Sequence, residues 1–374
     1  IVILNLAILY QNLGNFEKSK EYYIQAIELS PKKLSIYYNL SRIDRSYIDD
    51  DKISFIRNIL DKEKIEDLDA SYGFFLLAEY EKKKKNFLEE IKFLNKAHEL
   101  VFNSDKENNL KTLDYWKKII PKKYNKFTFE NIDDQTKLNL FEPIFIIGLP
   151  RSGSTVIEVL LSSGKSKIPS LGESSIFNGI IAKEFSSDMR GLIDLNLVRE
   201  QILKIYNEKN YNLGNRMFID KSLENFFYVD IIMKVFPRAK FINSIRNIED
   251  NIFAIFKQSL SKISWTHSLE NILEYIDNYF KVMNYFSKKY PENMLTINLE
   301  ELTNNSELIS KKIYSFCGLE WSEKILQFHD RKDLLISTAS NIQIRENIKK
   351  YDNEKYKPYR DYISIFKNKY SWLN

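Results

Sequence analysis

Residues 144–163 read IFIIGLPRSGSTVIEVLLSS, and their chemistry lies in two glycines, one arginine and two hydroxyls. A buried apolar strand is expected to run into Gly148, and a helix to open just after Gly153. Glycines at those points let the backbone curl until successive N–H groups face one anion. The positive N-terminal end of the helix adds to the attraction. A loop that handles ATP carries a lysine to reach the terminal phosphates and a Ser/Thr to hold Mg²⁺. Here Ser154 stands in the lysine position, the cation is Arg151 inside the loop, and Ser154 and Thr155 offer hydroxyls. This donor set suits an anion with less charge at its transferring end and no metal. A sulfuryl group on a nucleotide 5′-phosphate has that character.

Two further residues bear on the same question. Arg246 ends the strand-like run 240–245 and can fork onto a phosphate through two N–H groups. Asp220 ends the hydrophobic run 217–219 and offers a rival, the Mg²⁺-binding aspartate of a P-loop kinase or ATPase. The missing loop lysine, and Lys221 competing for the metal's position, weigh against that rival.

The remaining composition excludes several classes. Cys317 is the only cysteine, so neither a disulfide framework nor a thiolate metal site can form. His98, His267 and His329 lie far apart, with no H-E-x-x-H among them. Lys and Arg exceed Asp and Glu by 56 to 51, enough for an anionic ligand and too little for a nucleic-acid footprint. No apolar run reaches the roughly 18 residues of a spanning helix. The chain starts without Met inside an apolar pattern, which reads as a missing N-terminus. A cytoplasmic location is the default expectation, with a lumenal one open.

Three regions position these groups. Residues 1–117 are read as helical repeats: Asn5-Leu6-Ala7 recurs as Asn39-Leu40-Ser41, a step of 34. That period, with Ala7, Ala26, Ala78 and Ala97 where helices must approach closely and Gly14 turning the chain, resembles the tetratricopeptide repeat. The middle copy is degraded, with Leu60 replacing the second alanine. Such an array serves either as a concave peptide-binding surface or as a cap packed on the next domain. EKKKKN (81–86) is expected as a solvated turn. Residues 118–142 are irregular and polar, a connector. In 143–374, strand-like runs at 144–148, 217–219, 240–245 and 294–298 alternate with helical stretches such as 249–262 and 267–288. That order argues for a parallel sheet covered by helices.

The motifs, taken together, resemble those of sulfotransferases, in the branch that includes tyrosylprotein sulfotransferases and tetratricopeptide-linked bacterial enzymes. GLPRSGST resembles the family's 5′-phosphosulfate loop, which implies that Arg151, Ser152, Gly153, Ser154 and Thr155 cradle the 5′ end of 3′-phosphoadenosine 5′-phosphosulfate (PAPS). PSLGESS (169–175) matches the Gly-Glu that supplies the catalytic base, here Glu173. MFIDKSLENF (217–226) matches the Asp-Lys segment, with Lys221 beside the leaving phosphate. FPRAKFINSIRNIEDNIFAIFKQ (236–258) matches the 3′-phosphate segment, with Arg246 its ligand. By position in STASNIQIRENIKKYDNEKYKPY (337–359), Ser340 would contact the phosphosulfate bridge, and Lys355 and Tyr356 would close over the nucleotide.

The resemblance therefore implies an α/β P-loop-like domain behind an all-α array. It would move sulfuryl from PAPS to an acceptor hydroxyl on a protein tyrosine, a glycan or a small molecule, releasing adenosine 3′,5′-diphosphate and using no metal. Two positions depart from the pattern: Ala254 replaces the serine eight residues past Arg246, and Leu299 stands where tyrosine is frequent. Each removes a hydrogen bond to the donor. The alternatives at this stage are an inactive peptide-binding scaffold and a Mg²⁺-dependent nucleotide kinase.

Overall fold

The computed structural model describes residues 2–130, 141–187, 192–208, 216–331, 333 and 341–373. The chain opens with helices α1 (Val2–Leu13), α2 (Phe16–Leu29), α3 (Leu34–Ile43), α4 (Asp50–Lys62), α5 (Asp67–Lys83), α6 (Phe87–Ser104) and α7 (Lys106–Asp114). Gly14 takes φ +79° between α1 and α2, a conformation that favours glycine, and the Asn15 side chain then accepts from the Lys18 N–H to cap α2. Asp49 caps α4 in the same way, with Asp50 and Asp51 in the first turn and Lys62 in the last. Asp69 of α5 reaches across to accept from the N–H groups of Leu34 and Ser35, capping α3 from another helix.

Helix pairing follows the small residues. Ala7, Ala26, Ala78 and Ala97 are all buried, and the Ser19 hydroxyl donates to the Ala7 carbonyl at 2.8 Å. The bulky Leu60 of the degraded copy is accommodated from the facing helix. A Cβ on Gly73 would lie 3.1 Å from Leu60 and 2.8 Å from Leu34. The lysine run differs from expectation. Helix α5 continues through Lys83, so the turn is confined to 84–86, and Lys85 takes φ +60° where the first copy has Gly14.

The described part of the connector holds a strand that its composition did not suggest: β1 (Thr128–Glu130) pairs in parallel with β3 (Leu192–Asp194). The main sheet has β2 (Ile144–Gly148) at its centre, then β4 (Ile219–Asp220), β5 (Lys240–Ile245) and β6 (Met294–Asn298), in the order β4-β2-β5-β6, every pair parallel. Strand β2 is buried along its whole length, as an unbroken apolar run in a covered parallel sheet should be. Strand β4 covers two residues and lies later than the expected 217–219 run.

Helices α8 (Ser154–Ser162), α9 (Ile176–Ser187), α10 (Leu195–Glu208), α11 (Val229–Val235), α12 (Ile248–Phe256), α13 (Leu269–Lys289), α14 (Leu299–Asn304) and α15 (Ser306–Cys317) follow, with the short α16 (Asn341–Ile344) and α17 (Arg360–Ser364) after them. Helix α12 stops at Phe256, before the expected end at 262, and a short 3₁₀ turn at Ser264–His267 leads into α13. Among the described residues no helix is long and apolar enough to cross a membrane.

The helical array lies against the α/β domain. Phe75, Ala78, Ile91, Leu94, Ala97 and Val101 belong to the same core cluster as Phe145, Phe241 and Phe253. Asn341 donates to the Gln11 carbonyl at 2.7 Å and Arg345 to the Asn12 carbonyl at 2.8 Å. The Arg345 guanidinium also occupies the space a Cβ on Gly14 would need. Along α6, buried Glu90 pairs with Lys257 and accepts from Tyr359 at 2.7 Å, and His98 packs on Phe256. These contacts make this face of the array a cap on the next domain.

Candidate sulfuryl-transfer site

The loop after β2 is fixed from behind. Gly148 sits opposite Ser244 in the ladder with φ +138°, and a Cβ there would lie 2.4 Å from the Ser244 carbonyl oxygen. Carbonyls of the loop are bound by side chains of neighbouring elements. Asn251 of α12 donates to Pro150 at 2.7 Å, Arg246 to Arg151 at 3.3 Å, and the Ser244 hydroxyl to Ser152 at 2.8 Å. The loop leads into α8, whose first intrahelical bonds run from the Val156 and Ile157 N–H groups to the Gly153 carbonyl, so the N–H groups of Ser154 and Thr155 lie ahead of the ladder. Arg151 takes φ +67°, unusual for a side-chain-bearing residue and costly unless the surroundings impose it. Ser152, Ser154 and Thr155 are buried; Ser152 donates to the Leu149 carbonyl at 2.7 Å. Leu299 packs on Gly153, so an apolar contact stands where the hydrogen-bonding tyrosine was expected.

The Gly-Glu segment joins the sheet edge beyond β4. Ile219 donates to Pro169, Leu171 to Ile219, and Lys221 to Gly172, with a parallel bridge between Ser170 and Ile219. This pairing brings Glu173 alongside Lys221, and the Lys221 Nζ lies 2.7 Å from Glu173 Oε1. Lys221 is buried at 1% exposure, whereas the Glu173 side chain is 58% exposed, so the carboxylate can meet a substrate. Glu158 of α8 stands 3.5 Å from the same ammonium and accepts from Ser170 at 2.5 Å.

Asp220 is buried and already bound on both oxygens, by the Ser174 hydroxyl, the Ser222 N–H and the Asn225 amide. Burial pushes its carboxyl up from the ordinary value, against the pull of those donors. A carboxylate so engaged is poorly set up to take a divalent ion.

Arg246, just past the end of β5, lies between two aromatic rings, its guanidinium 5.0 Å from the Tyr351 centroid and 5.1 Å from that of Tyr356. Its Nε donates to Tyr351 at 2.7 Å, and the Tyr351 hydroxyl donates to Asp250 at 2.6 Å. Tyr356 is buried, while Lys355 is exposed with its ammonium 5.3 Å from the Tyr356 ring. Ala254 is buried in the main apolar core. Ser340 lies outside the described residues.

The structure thus brings Glu173 and Lys221 into contact, and Arg151, Arg246 and Tyr356 into one neighbourhood. Sequence reasoning missed Glu158, Asp250, Asn251 and Tyr351. Glu158 had a signal, as the lone charge in the apolar helix STVIEVLLS. Tyr351 had none, because its partner Arg246 is 105 residues away.

Residues 143–323 match the sulfotransferase family and residues 2–33 match a tetratricopeptide repeat. An uncharacterised protein of Aquifex aeolicus (strain VF5) is 24% identical over 389 residues, covering 97% of this chain and 49% of that protein. The chain therefore spans about half the length of this relative. Among solved structures, the sulfotransferase domain of the Synechococcus PCC 7002 olefin synthase is similar at 16% identity and TM-score 0.44, over 61% of this chain and 90% of that one. Sulfotransferase STF1 from Mycobacterium tuberculosis H37Rv is similar at 12% identity and TM-score 0.35, over 75% and 92%. The α/β part of the chain is thus similar to the sulfotransferase family over residues 143–323, behind a helical region whose first stretch is similar to a tetratricopeptide repeat.

Proposed function

We propose that this domain transfers a sulfuryl group from PAPS to an acceptor hydroxyl and releases adenosine 3′,5′-diphosphate. The observation that supports the reading is the pairing of buried Lys221, just past β4, with solvent-reaching Glu173 at 2.7 Å, where β4 neighbours the strand that leads into the anion loop. The donor supplies a sulfuryl group attached to a phosphate leaving group. The residues present fit such a molecule: the loop offers hydroxyls, helix N–H groups and arginine, and no carboxylate stands within GLPRSGST.

In this reading Arg151, Ser152, Gly153, Ser154 and Thr155 hold the 5′ end and Arg246 the 3′-phosphate. Lys355 and Tyr356 close over the nucleotide, and Ser340 is expected at the bridging oxygen. Glu173 accepts the acceptor's proton as the acceptor oxygen bonds to sulfur. The sulfur–oxygen bond to phosphate breaks, and its electron pair stays on the phosphate oxygen. Lys221 neutralises the charge that develops there. A positioned base contributes about 10²–10⁴-fold. The acceptor hydroxyl belongs to a protein tyrosine, a glycan or a small molecule, and no step calls for a metal.

Incubation with ³⁵S-labelled PAPS and cell fractions tests the activity and finds the acceptor. Glu173→Ala should stop label transfer while adenosine 3′,5′-diphosphate still raises the melting temperature. Undiminished transfer by that variant would remove Glu173 as base.

A further inference from the structure

Arg246 stands at a strand end, and its orientation is set by a residue more than a hundred positions further along the chain. A guanidinium carries five N–H donors in one plane, so fixing one edge aims the others. Here Nε donates to the Tyr351 hydroxyl at 2.7 Å and Nη1 to the Arg151 carbonyl at 3.3 Å. The rings of Tyr351 and Tyr356, 5.0 and 5.1 Å from the guanidinium carbon, flank it. Among the described residues these are its hydrogen bonds, which leaves the Nη2 edge uncommitted.

The Tyr351 hydroxyl is itself oriented. It has one hydrogen, which Asp250 Oδ2 accepts at 2.6 Å, so its oxygen lone pairs face the arginine. Asp250 is 1% exposed and fixed in the first turn of α12, where its own N–H donates to the Asn247 cap. The positive end of that helix favours a carboxylate there. A chain of two charge-assisted bonds therefore runs from a helix, through a phenol, to the guanidinium. The phenol also stands between acid and arginine. Without its hydroxyl, Asp250 would draw the guanidinium onto itself and away from a phosphate.

A simpler role for Tyr351 would be to tie down the segment that carries it, which has no helix or strand between α16 and the turn at Lys357–Tyr359. That segment is already anchored at both ends, by Arg345 on the Asn12 carbonyl at 2.8 Å and by Tyr359 on Glu90 at 2.7 Å. A tether also has no need of a hydroxyl placed between a buried acid and an arginine.

We propose that Asp250 and Tyr351 are positioning residues of the donor site, holding Arg246 so that its uncommitted edge selects a nucleotide with a ribose 3′-phosphate. The proposal rests on the sulfotransferase reading, which assigns that phosphate to Arg246. Both residues act through the arginine, so loss of the hydroxyl falls on recognition of the 3′-phosphate and spares the 5′ end.

The test is calorimetric titration of the full chain with adenosine 3′,5′-diphosphate and, separately, with adenosine 5′-diphosphate, which carries both phosphates at the 5′ end. Wild type, Tyr351→Phe, Arg246→Lys and the double variant are compared. Phenylalanine keeps the ring against the guanidinium and removes only the hydroxyl; lysine keeps the charge and removes the planar fork. The expected result for Tyr351→Phe is about tenfold weaker binding of the 3′,5′-diphosphate with the 5′-diphosphate unchanged. In the Arg246→Lys background the same change should cost no more than about twofold. Both nucleotides bind the folded chain, so partial unfolding of a variant leaves the ratio of the two affinities unmoved. If adenosine 5′-diphosphate binds too weakly to titrate, the comparison in the Arg246→Lys background decides. An unchanged ratio, or a full tenfold loss in that background, overturns the proposal, makes Tyr351 a tether and leaves the sulfotransferase reading standing. Failure of wild type to prefer the 3′,5′-diphosphate would overturn both.

Discussion

The ammonium of Lys221 lies 2.7 Å from one carboxylate, Glu173, and 3.5 Å from another, Glu158. The two acids differ in setting. Glu173 is largely exposed at the end of the edge segment, whereas Glu158 is mostly buried on α8 and tied to Ser170. Under the proposed function, Lys221 would keep a structural partner in Glu158 while Glu173 turned to a substrate.

Lys221→Met should therefore reduce kcat about 10²–10³-fold, the usual cost of losing one group aimed at developing charge. The donor KM should change little, because in the proposed function Arg151 and Arg246 are the residues that bind the nucleotide. Steady-state kinetics at saturating acceptor separates the two constants. A change confined to KM would assign Lys221 to donor binding instead.

The junction between array and domain should be sensitive to acid. His98 Nδ1 and His267 Nδ1 lie 3.2 Å apart in the core of the contact, and His98 Nε2 bonds the Phe256 carbonyl at 2.6 Å. Burial lowers His98 to about 4. Burial, with His98 beside it, lowers His267 to about 3. Both folded values lie below the unfolded one of about 6.5, so the unfolded chain binds protons first as pH falls. Stability should be fully present above about pH 6.5 and decline towards pH 4. In melting curves, the drop between neutral and mildly acidic buffer should be smaller for His98→Gln than for wild type.

How much of this was legible depended on distance along the chain. The candidate loop, the Gly-Glu pair, Lys221 and Arg246 stand out in the sequence because each is a local pattern, and the structure places Glu173 against Lys221 and Arg246 against the Arg151 carbonyl. The pairing of β1 with β3 was not, since a three-residue strand in a polar connector shows no alternation to read. The seat of Arg345 on Gly14 was equally hidden: both residues drew attention for local reasons, but their contact spans most of the chain. Leu60 looked like repeat decay until Gly73 was seen opposite it. Compensation of that kind is a property of the packed pair and is carried by neither residue alone.

Gly148→Ala should damage the loop and the sheet together. The new methyl would meet the Ser244 carbonyl oxygen at 2.4 Å, and backbone atoms paired in a central ladder cannot yield easily. The φ of +138° adds strain for any side chain. A loss of more than about 2 kcal/mol in urea unfolding is expected, together with loss of adenosine 3′,5′-diphosphate binding. Gly179→Ala is the control, because a Cβ there meets nothing within 4 Å, and it should be near neutral.

The buried pair Glu90–Lys257 makes the last prediction, because charge at an interface can either join two parts or only balance itself. Glu90 is 1% exposed and Lys257 10%, and Tyr359 donates to the remaining Glu90 oxygen at 2.7 Å. Burial lowers the Lys257 ammonium to about 8, with Glu90 opposing the shift. Lys257→Met strands a carboxylate in an apolar contact and should cost about 3–5 kcal/mol. The double variant Glu90→Leu with Lys257→Met removes both charges and should recover most of that loss, since desolvation of a buried pair largely offsets its attraction. Urea midpoints of the two single variants and the double variant give the coupling directly. A double variant as unstable as Lys257→Met alone would show that the pair contributes net attraction between array and domain, beyond satisfying itself.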